Sequence, residues 1–167
     1  MRTPLTTAWL GKGILERLFH EAAEFAPLET GGVLLGWRSP GHICVTRIVG
    51  PGPGARHHKM SFDPDTKWQA EQIAQLYADS GRRLSYLGDW HTHPGATPNP
   101  SARDRQTLRT IARHPPARCP QPLMVIIGQP HSDQWEASGH SVTRDRFLKT
   151  LKVTSLPLHT NEELQDL

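Results

Sequence analysis

The stretch from His91 to Asp104, H-T-H-P-G-A-T-P-N-P-S-A-R-D, constrains this chain more than any other part of its sequence. It follows an apolar run from Leu84 to Trp90, which predicts a buried strand. Because alternate residues of a strand project to the same face, His91 and His93 are expected to leave the strand end side by side. The pattern therefore predicts two neighbouring imidazoles at one end of a sheet.

The residues after His93 predict a proline-rich loop and then a helix. Ser101 is a candidate helix N-cap, and Asp104 falls in the first helical turn. Since Ser101 and Asp104 lie on one helical face, the start of the helix directs the Asp104 carboxylate back at the strand end. Two imidazoles and one carboxylate make three ligands, and catalytic zinc keeps its fourth position for water whereas structural zinc closes it with a side chain.

An H-x-H pair alone is weak evidence for a metal, because exposed histidines are common and strand ends often carry them. Here a hydroxyl, a carboxylate and a proline-rich loop follow the pair at fixed offsets, which strengthens the case. We therefore predict one zinc ion per chain, bound by His91, His93 and Asp104.

This pattern resembles the motif of the JAMM, or MPN-plus, metalloproteases, also called JAB-domain proteins. The family motif is H-x-H, seven residues and S-x-x-D, with a glutamate far upstream. The stretch from Glu29 to Gly36, E-x-G-G-x-L-x-G, matches the upstream part. The resemblance covers about residues 10 to 148. It implies an α/β fold, a mixed sheet flanked by helices, similar to the cytidine-deaminase layout.

The resemblance also implies a mechanism, in which Glu29 lies beside the zinc-bound water without being a ligand. Zinc would lower the pKa of that water to roughly 7. Glu29 would take its proton and pass it to the leaving amine, while Ser101 would help to stabilise the oxyanion. A plain N-cap role for Ser101 is compatible with this. Thr92 is expected to orient or pack, and Asp89 is a candidate acceptor for a ligand imidazole.

Members of the family remove ubiquitin or ubiquitin-like proteins from lysines, process the C-termini of such proteins, or serve in bacterial operons that couple E1- and E2-like enzymes to anti-phage defence. The chain is short and shows no accessory domain, so we expect a stand-alone bacterial isopeptidase that acts on a ubiquitin-like modifier or a similarly conjugated protein. The partners would be that substrate and E1- and E2-like operon proteins.

An exposed strand edge beside the zinc would hold the modifier's tail by strand addition. The segments from Arg56 to Phe62 and from Arg113 to Pro122 are candidates for shaping this groove. His57 and His58 in the first segment have no carboxylate at a spacing that suits shared metal binding. They are therefore interpreted as rim residues rather than metal ligands. The groove candidates are Arg56, His57, His58, Arg113 and Arg118.

Two alternatives from other classes stay open. The P-x-P-S loop also resembles RadC-type domains associated with DNA processing, which share the metal ligands. No helix-hairpin-helix module accompanies it, and a net charge of +3 is weak support for nucleic-acid binding. The second alternative, a catalytically inert MPN interaction scaffold, is disfavoured because every motif residue is present. The arginines of the helix after the motif form either a solvated surface or a basic rim.

The length of 167 residues fits one domain, and 36% hydrophobic with 21% charged residues is ordinary for a globular protein. No run is apolar and long enough to span a bilayer, and the N-terminus lacks a hydrophobic signal core. We therefore expect a cytoplasmic protein without membrane contact. Cys44 is interpreted as a buried core residue and Cys119 as a loop residue, with no signal for a bridge between them.

The remaining patterns predict further elements and a domain covering residues 1–148. Residues 149–167 are expected to pack loosely or to form an exposed handle. A helix from Asp63 or Asp65 to Ser80 is predicted to bury Trp68, Ile73, Leu76 and Tyr77. The other predicted elements are a helix at 10–26, a hairpin of strands at 31–37 and 43–49, and strands at 55–62, 123–127, 134–137 and 141–147.

Overall fold

A computed structural model describes residues 3–131, 133–145 and 150–164 of the chain. Within these ranges the helices are α1 (Ile14–Phe25), α2 (Thr66–Asp79) and α3 (Ala102–Arg113), with a 3-10 turn at Pro115–Ala117. The strands are β1 (Thr7–Gly11), β2 (Gly31–Ser39), β3 (His42–Val49), β4 (Arg56–His57), β5 (Phe62–Asp63), β6 (Ser85–His93), β7 (Leu123–His131), β8 (Gln134–Arg144), β9 (Leu151–Leu156) and β10 (Leu158–Asn161).

Eight of these strands form one mixed sheet in the order β10-β1-β3-β2-β6-β7-β8-β9. Strand β1 runs parallel to both β10 and β3, and β6 runs parallel to β7. The other pairs in this sheet are antiparallel. Strands β4 and β5 form a separate small hairpin. This mixed sheet with flanking helices confirms the predicted α/β class.

Helices cover both faces of the sheet, because alternate residues of its central strands point to opposite sides. On β2, Leu34 packs in the cluster that contains α1, whereas its neighbour Val33 packs with α2. On β7, Val125 joins the α1 cluster, whereas Met124 packs with α3. Helix α1 therefore covers one face, and α2 and α3 share the other, where β6 ends between them.

The N-terminal helix is shorter than its sequence pattern predicts. The apolar spacing predicts that Leu10 begins the helix at 10–26, but it lies in β1, and α1 begins only at Ile14. Strand β1 is inserted between β3 and β10, so pairing on both sides decides its conformation. Leu10 is buried, and its spacing from Ile14 matches a helical repeat although the two residues belong to different elements.

Helix α2 begins as predicted, with the Asp65 carboxylate accepting a hydrogen bond from the Trp68 backbone N–H. Trp68, Ile73 and Leu76 pack against the sheet. The prediction for Tyr77 is wrong, since this side chain is 44% exposed. Tyr77 follows Leu76 by one residue, which turns it about 100° away from the packed face.

The segment predicted as one strand at 55–62 is instead the β4–β5 hairpin, with a tip at Lys59 and Met60. The two strands predicted around Gly139 are one continuous strand, β8, paired with β7 and β9 on its two sides. Residues 146 and 147 of the second predicted strand lie outside the described ranges.

Residues near the C-terminus belong to the sheet rather than to a loosely packed tail. Strand β9 pairs with β8, and β10 pairs with β1 at the opposite end of the strand order. Leu156 is 4% exposed and joins the main core. These short strands are stabilised by pairing with β8 and β1, so their own sequences show only a weak strand pattern.

Both cysteines are unbridged and buried, which confirms the core assignment of Cys44. Cys119 is also buried, with its thiol 3.4 Å from the Leu87 carbonyl oxygen. No helix in the described part of the chain has the length and apolar character needed to cross a membrane.

Candidate active site

The three predicted metal ligands meet where β6 ends and α3 begins. His91 Nε2 lies 3.1 Å from His93 Nε2 and 3.1 Å from Asp104 Oδ1. His93 Nε2 lies 3.4 Å from Asp104 Oδ2. Among the described residues, these three form the group of histidine, cysteine and acidic side chains whose ligand atoms are close enough to share a metal ion.

The spacing of the donor atoms fits a tetrahedral metal. With metal–ligand bonds of about 2.0–2.1 Å, two donors of a tetrahedral site are roughly 3.3 Å apart. The observed separations of 3.1 and 3.4 Å bracket this value. Two imidazole nitrogens and one carboxylate are also a donor set of the catalytic kind, which leaves one position for water or substrate. The site is consistent with a bound metal ion.

A capping box fixes the Asp104 carboxylate before any metal binds. The Ser101 backbone N–H donates to Asp104 Oδ2 at 2.7 Å, and the Asp104 N–H donates to Ser101 Oγ at 3.1 Å. Burial acts to raise the pKa of Asp104, but hydrogen bonds from His91 and His93 hold this pKa well below its usual range. Asp104 is therefore an ionised carboxylate in a fixed orientation, and Ser101 has the predicted N-cap role.

Strand pairing brings Glu29 to the ligands. Gly31 is paired with His91, and Thr92 N–H donates to the Thr30 carbonyl at 2.9 Å. Glu29 is the residue before Thr30, so this pairing delivers it to the end of β6 that carries His93. Glu29 lines the same cavity as the ligands but is not one of the three converging groups. Its position matches that of a base beside the metal.

The Glu29 carboxyl is half-buried, and burial raises its pKa above the ordinary glutamate value. The nearby imidazoles of His93 and His91 act in the opposite direction. A raised pKa suits a group that must both accept and release a proton near neutral pH.

Gly31, the first glycine of the E-x-G-G motif, allows close packing over the start of β2. A Cβ atom at this position would overlap the Trp90 carbonyl oxygen and the Phe62 ring. The β4–β5 hairpin, which carries Phe62, can therefore lie directly against the backbone next to Glu29.

Thr92 links the strand that carries the ligands to the segment that carries Glu29. Its side chain is fully buried, and Thr92 Oγ1 accepts a hydrogen bond from Thr30 N–H at 2.9 Å. The expected orienting role of Thr92 thus has a definite structural basis.

We predict that Thr92→Val lowers the free energy of unfolding by about 1–3 kcal/mol, because the buried Thr30 N–H loses its acceptor. Thr46→Val is the matched control: Thr46 is also buried, and its hydroxyl has no hydrogen-bond partner among the described residues. Urea denaturation of both variants measures the difference. Equal stabilities would rule out a contribution from the Thr92–Thr30 bond.

The loop after His93 is held by β7. His93 Nδ1 lies 3.3 Å from the Thr97 carbonyl oxygen, and Gln129 N–H donates to the Ala96 carbonyl at 2.8 Å. At Gly128 a Cβ atom would overlap the backbone of this loop. The bond to Thr97 fixes the His93 ring with Nε2 directed at the other ligands.

Ser138 and His140 on β8 also support this loop, and sequence analysis missed both. The Ser138 hydroxyl donates to the Pro98 carbonyl, and His140 Nε2 lies 2.8 Å from Ser138 Oγ. Burial lowers the pKa of His140, which favours the neutral imidazole. Since the serine uses its hydrogen on Pro98, the His140 N–H is the donor to Ser138. No local pattern connects residues so far apart in the chain.

A cavity of about 550 Å³ opens beside the ligands. Its wall includes Glu29 and Ser101, and its rim includes Lys59 and Met60 from the hairpin tip and Arg103 from α3. Met60 is 86% exposed, which is unusual for a large apolar side chain. The rim therefore combines an apolar contact with two cationic groups.

The five groove candidates do not line this cavity. Of the predicted segment from Arg56 to Phe62, the part from Lys59 onward faces it. His57 instead stacks on Phe25, with ring centroids 4.1 Å apart. Helix α3 rises by about 1.5 Å per residue, so Arg113 lies roughly 13 Å along the helix from Asp104. Arg118 follows the 3-10 turn after this helix.

Asp89 contacts a different partner from the one expected. Its carboxylate accepts a hydrogen bond from the Tyr86 hydroxyl at 2.7 Å, rather than from a ligand imidazole. Burial raises the pKa of Asp89, and it also raises the pKa of Tyr86 far above its usual value. Asp89 therefore lines the cavity as part of a half-buried pair with Tyr86.

The fold, the converging group of His91, His93 and Asp104, and the neighbouring Glu29 together match the site of a JAB-type hydrolase. The chain belongs to the prokaryotic homologs of the JAB domain, a family that matches residues 11–138.

Relatives and a solved structure agree with this assignment. A Sinorhizobium fredii protein named "Probable metalloprotease y4qB" is 40% identical over 71% of this chain and 74% of its own length. A Vibrio cholerae protein named "CD-NTase/cGAS isopeptidase" is 36% identical over 60% of this chain and 64% of its own. The solution structure of protein DSY2949 from Desulfitobacterium hafniense matches with a TM-score of 0.70, 22% identity and 95% coverage of both chains, and supports the fold.

Proposed function

We propose that this protein is a zinc-dependent isopeptidase that removes a ubiquitin-like modifier, or a similarly conjugated protein, from a lysine of its target. The carrying observation is the placement of Glu29 beside three converging ligands, His91, His93 and Asp104, in an open cavity. The same chemistry would process the C-terminus of such a modifier. A bacterial conjugation operon with E1- and E2-like partners, acting in anti-phage defence, is the proposed context.

When bound, zinc supplies the Lewis acidity that makes water a nucleophile near neutral pH and polarises the scissile carbonyl. Glu29 takes a proton from the attacking water on a carboxylate oxygen and delivers it to the nitrogen of the leaving lysine amine. His91, His93 and Asp104 would hold the metal, through atoms that already face one another. The Thr30–Thr92 bonds join the segment that follows Glu29 to the strand that carries His91 and His93.

Ser101 is suited to stabilise the oxyanion that forms on the scissile carbonyl, since it lines the cavity next to the ligands. We predict that Ser101→Ala lowers kcat by roughly 10²–10³-fold, the usual effect of losing one oxyanion donor. Loss of the N-cap bond to Asp104 should cost about 1 kcal/mol of stability. Steady-state kinetics together with chelator titration measures both effects. If Ser101→Ala lowered metal affinity by a larger factor than it lowered kcat, the role of Ser101 would be in metal binding instead.

The relatives named "CD-NTase/cGAS isopeptidase" support an isopeptide substrate. The rim of the cavity supports an extended polypeptide tail, because exposed Met60 offers an apolar contact beside cationic Lys59 and Arg103. A small-molecule substrate would gain little from such a rim.

The proposal is tested with zinc-loaded protein and a panel of conjugates. The panel contains a CD-NTase protein joined to a lysine by an isopeptide bond, an isopeptide-linked ubiquitin-like protein, and linear fusions of both. We expect release of an intact C-terminus and a free lysine from at least one isopeptide conjugate. Hydrolysis of the linear fusions alone would show that the protein is a peptidase and not an isopeptidase. If no conjugate or fusion were hydrolysed, both activities would be refuted.

A further inference from the structure

Both backbone polar groups of Glu29 bond to the β4–β5 hairpin rather than to the main sheet. Glu29 N–H donates to the His58 carbonyl at 2.7 Å. The Glu29 carbonyl oxygen lies 3.0 Å from His57 Nδ1. Because a carbonyl only accepts hydrogen bonds, Nδ1 must carry the hydrogen of the His57 ring.

Two aromatic residues fix the plane of the His57 ring. Phe25 stacks on it with a centroid distance of 4.1 Å and an interplanar angle of 20°. Phe62 is nearly parallel to it at 6.5 Å and 16°. A half-buried ring held in this way presents Nδ1–H to the Glu29 carbonyl in one orientation. The His57 side chain therefore loses little conformational entropy when this hydrogen bond forms.

Glu29 itself precedes β2 and is outside any strand. The bonds to Thr92 fix the chain only from Thr30 onward. The orientation of the Glu29 peptide, and with it the direction of the carboxylate, therefore depends on the hairpin.

We propose that His57 is a positioning residue for Glu29: its Nδ1–H holds the Glu29 carbonyl and thereby directs the carboxylate at the attacking water. This inference rests on the proposed function of Glu29. It assigns His57 a role different from that of a groove residue, which would contact substrate directly. Misplacing a catalytic group by about 1 Å can lower turnover by roughly 100-fold.

Two substitutions separate the hydrogen bond from the stacking. His57→Phe keeps an aromatic ring between Phe25 and Phe62 but has no donor, whereas His57→Asn keeps a donor near the Nδ1 position but has no ring. We expect kcat to fall by roughly 10- to 100-fold in His57→Phe with KM nearly unchanged, and to stay within a few-fold of wild type in His57→Asn. His159→Phe is the matched control, since His159 also stacks on an aromatic ring, Trp9 at 5.2 Å, but lies on β10.

Amide hydrogen exchange gives a readout that needs neither activity nor metal. The Glu29 N–H should exchange faster in His57→Phe than in wild type or His57→Asn, at equal free energies of unfolding.

Full activity and wild-type exchange in His57→Phe would overturn the proposal. Loss of activity in His57→Asn but not in His57→Phe would assign the effect to stacking, and a change confined to KM would assign it to substrate contact. If wild-type protein cleaves no conjugate, the proposed function fails, and the exchange rates alone decide whether His57 holds Glu29.

Discussion

Glu29→Gln should reduce amide hydrolysis by roughly 10²–10⁴-fold, the usual contribution of a general acid–base group, while the protein keeps its metal. Glutamine has the same shape but cannot accept a proton from water. Glu29 lies outside the three converging ligands, so the metal should bind with wild-type affinity. Single-turnover kinetics and metal analysis of the same preparation measure both quantities. Glu29→Ala should behave in the same way.

Glu71→Gln is the charge-matched control, since Glu71 is an exposed carboxylate on α2, away from the cavity lining. It should leave turnover unchanged. Full activity of Glu29→Gln would remove Glu29 from the mechanism. Loss of metal from this variant would instead make Glu29 a ligand, contrary to the geometry at the end of β6.

The second large effect is expected for Asp104→Ala, which should release the metal. Removing a direct ligand should weaken metal affinity by more than the roughly 10–100-fold that loss of an outer-shell partner causes. The two histidines would remain close together without the carboxylate that both contact. Competition with a chelator, followed by metal analysis after gel filtration, measures the change.

Asp104→Ala also breaks the capping box, so a control for helix capping is needed. Ser101→Ala removes the side-chain cap but leaves the carboxylate in place, and it should retain the metal. If both variants lose metal equally, helix capping rather than ligation would explain the effect. If neither loses metal, Asp104 is not a ligand.

The converging group of His91, His93 and Asp104 was predictable because its signals are local. His91 and His93 are separated by one residue on a strand, and Ser101 and Asp104 by three residues at a helix start, so strand and helix periodicity alone place them. Glu29 required a different argument. Its link to the site is the antiparallel pairing of β2 with β6, and only the resemblance to a family motif connected the two segments in advance.

The surroundings of the site could not be predicted in the same way. Ser138 and His140 come close to the loop after His93 because β8 pairs with β7. No pattern in the neighbouring sequence predicts that contact. The short strands at Arg56–His57 and Phe62–Asp63 are too short to show an alternating pattern, and the Phe62 ring packs against Gly31, which is remote in sequence. The cavity is accordingly lined by the hairpin-tip residues Lys59 and Met60, whereas the predicted groove residues His57 and His58 do not line it.

Strand β10 illustrates the same limit at the C-terminus. Leu158–Asn161 is short and mostly polar, so its sequence does not resemble a strand. It is ordered by parallel pairing with β1, which lies almost the full length of the chain away. Such pairings depend on the assembled sheet, and local propensity carries no information about them.

The central claim, a zinc-dependent hydrolytic site at the end of β6, is tested most directly by the zinc content of the purified protein, measured by mass spectrometry before and after chelation with activity assayed in parallel. One zinc ion per chain is expected, bound by the single converging group among the described residues. Chelation should abolish hydrolysis, and added zinc should restore it. A protein that binds no zinc, or that hydrolyses conjugates equally well after chelation, would contradict this account.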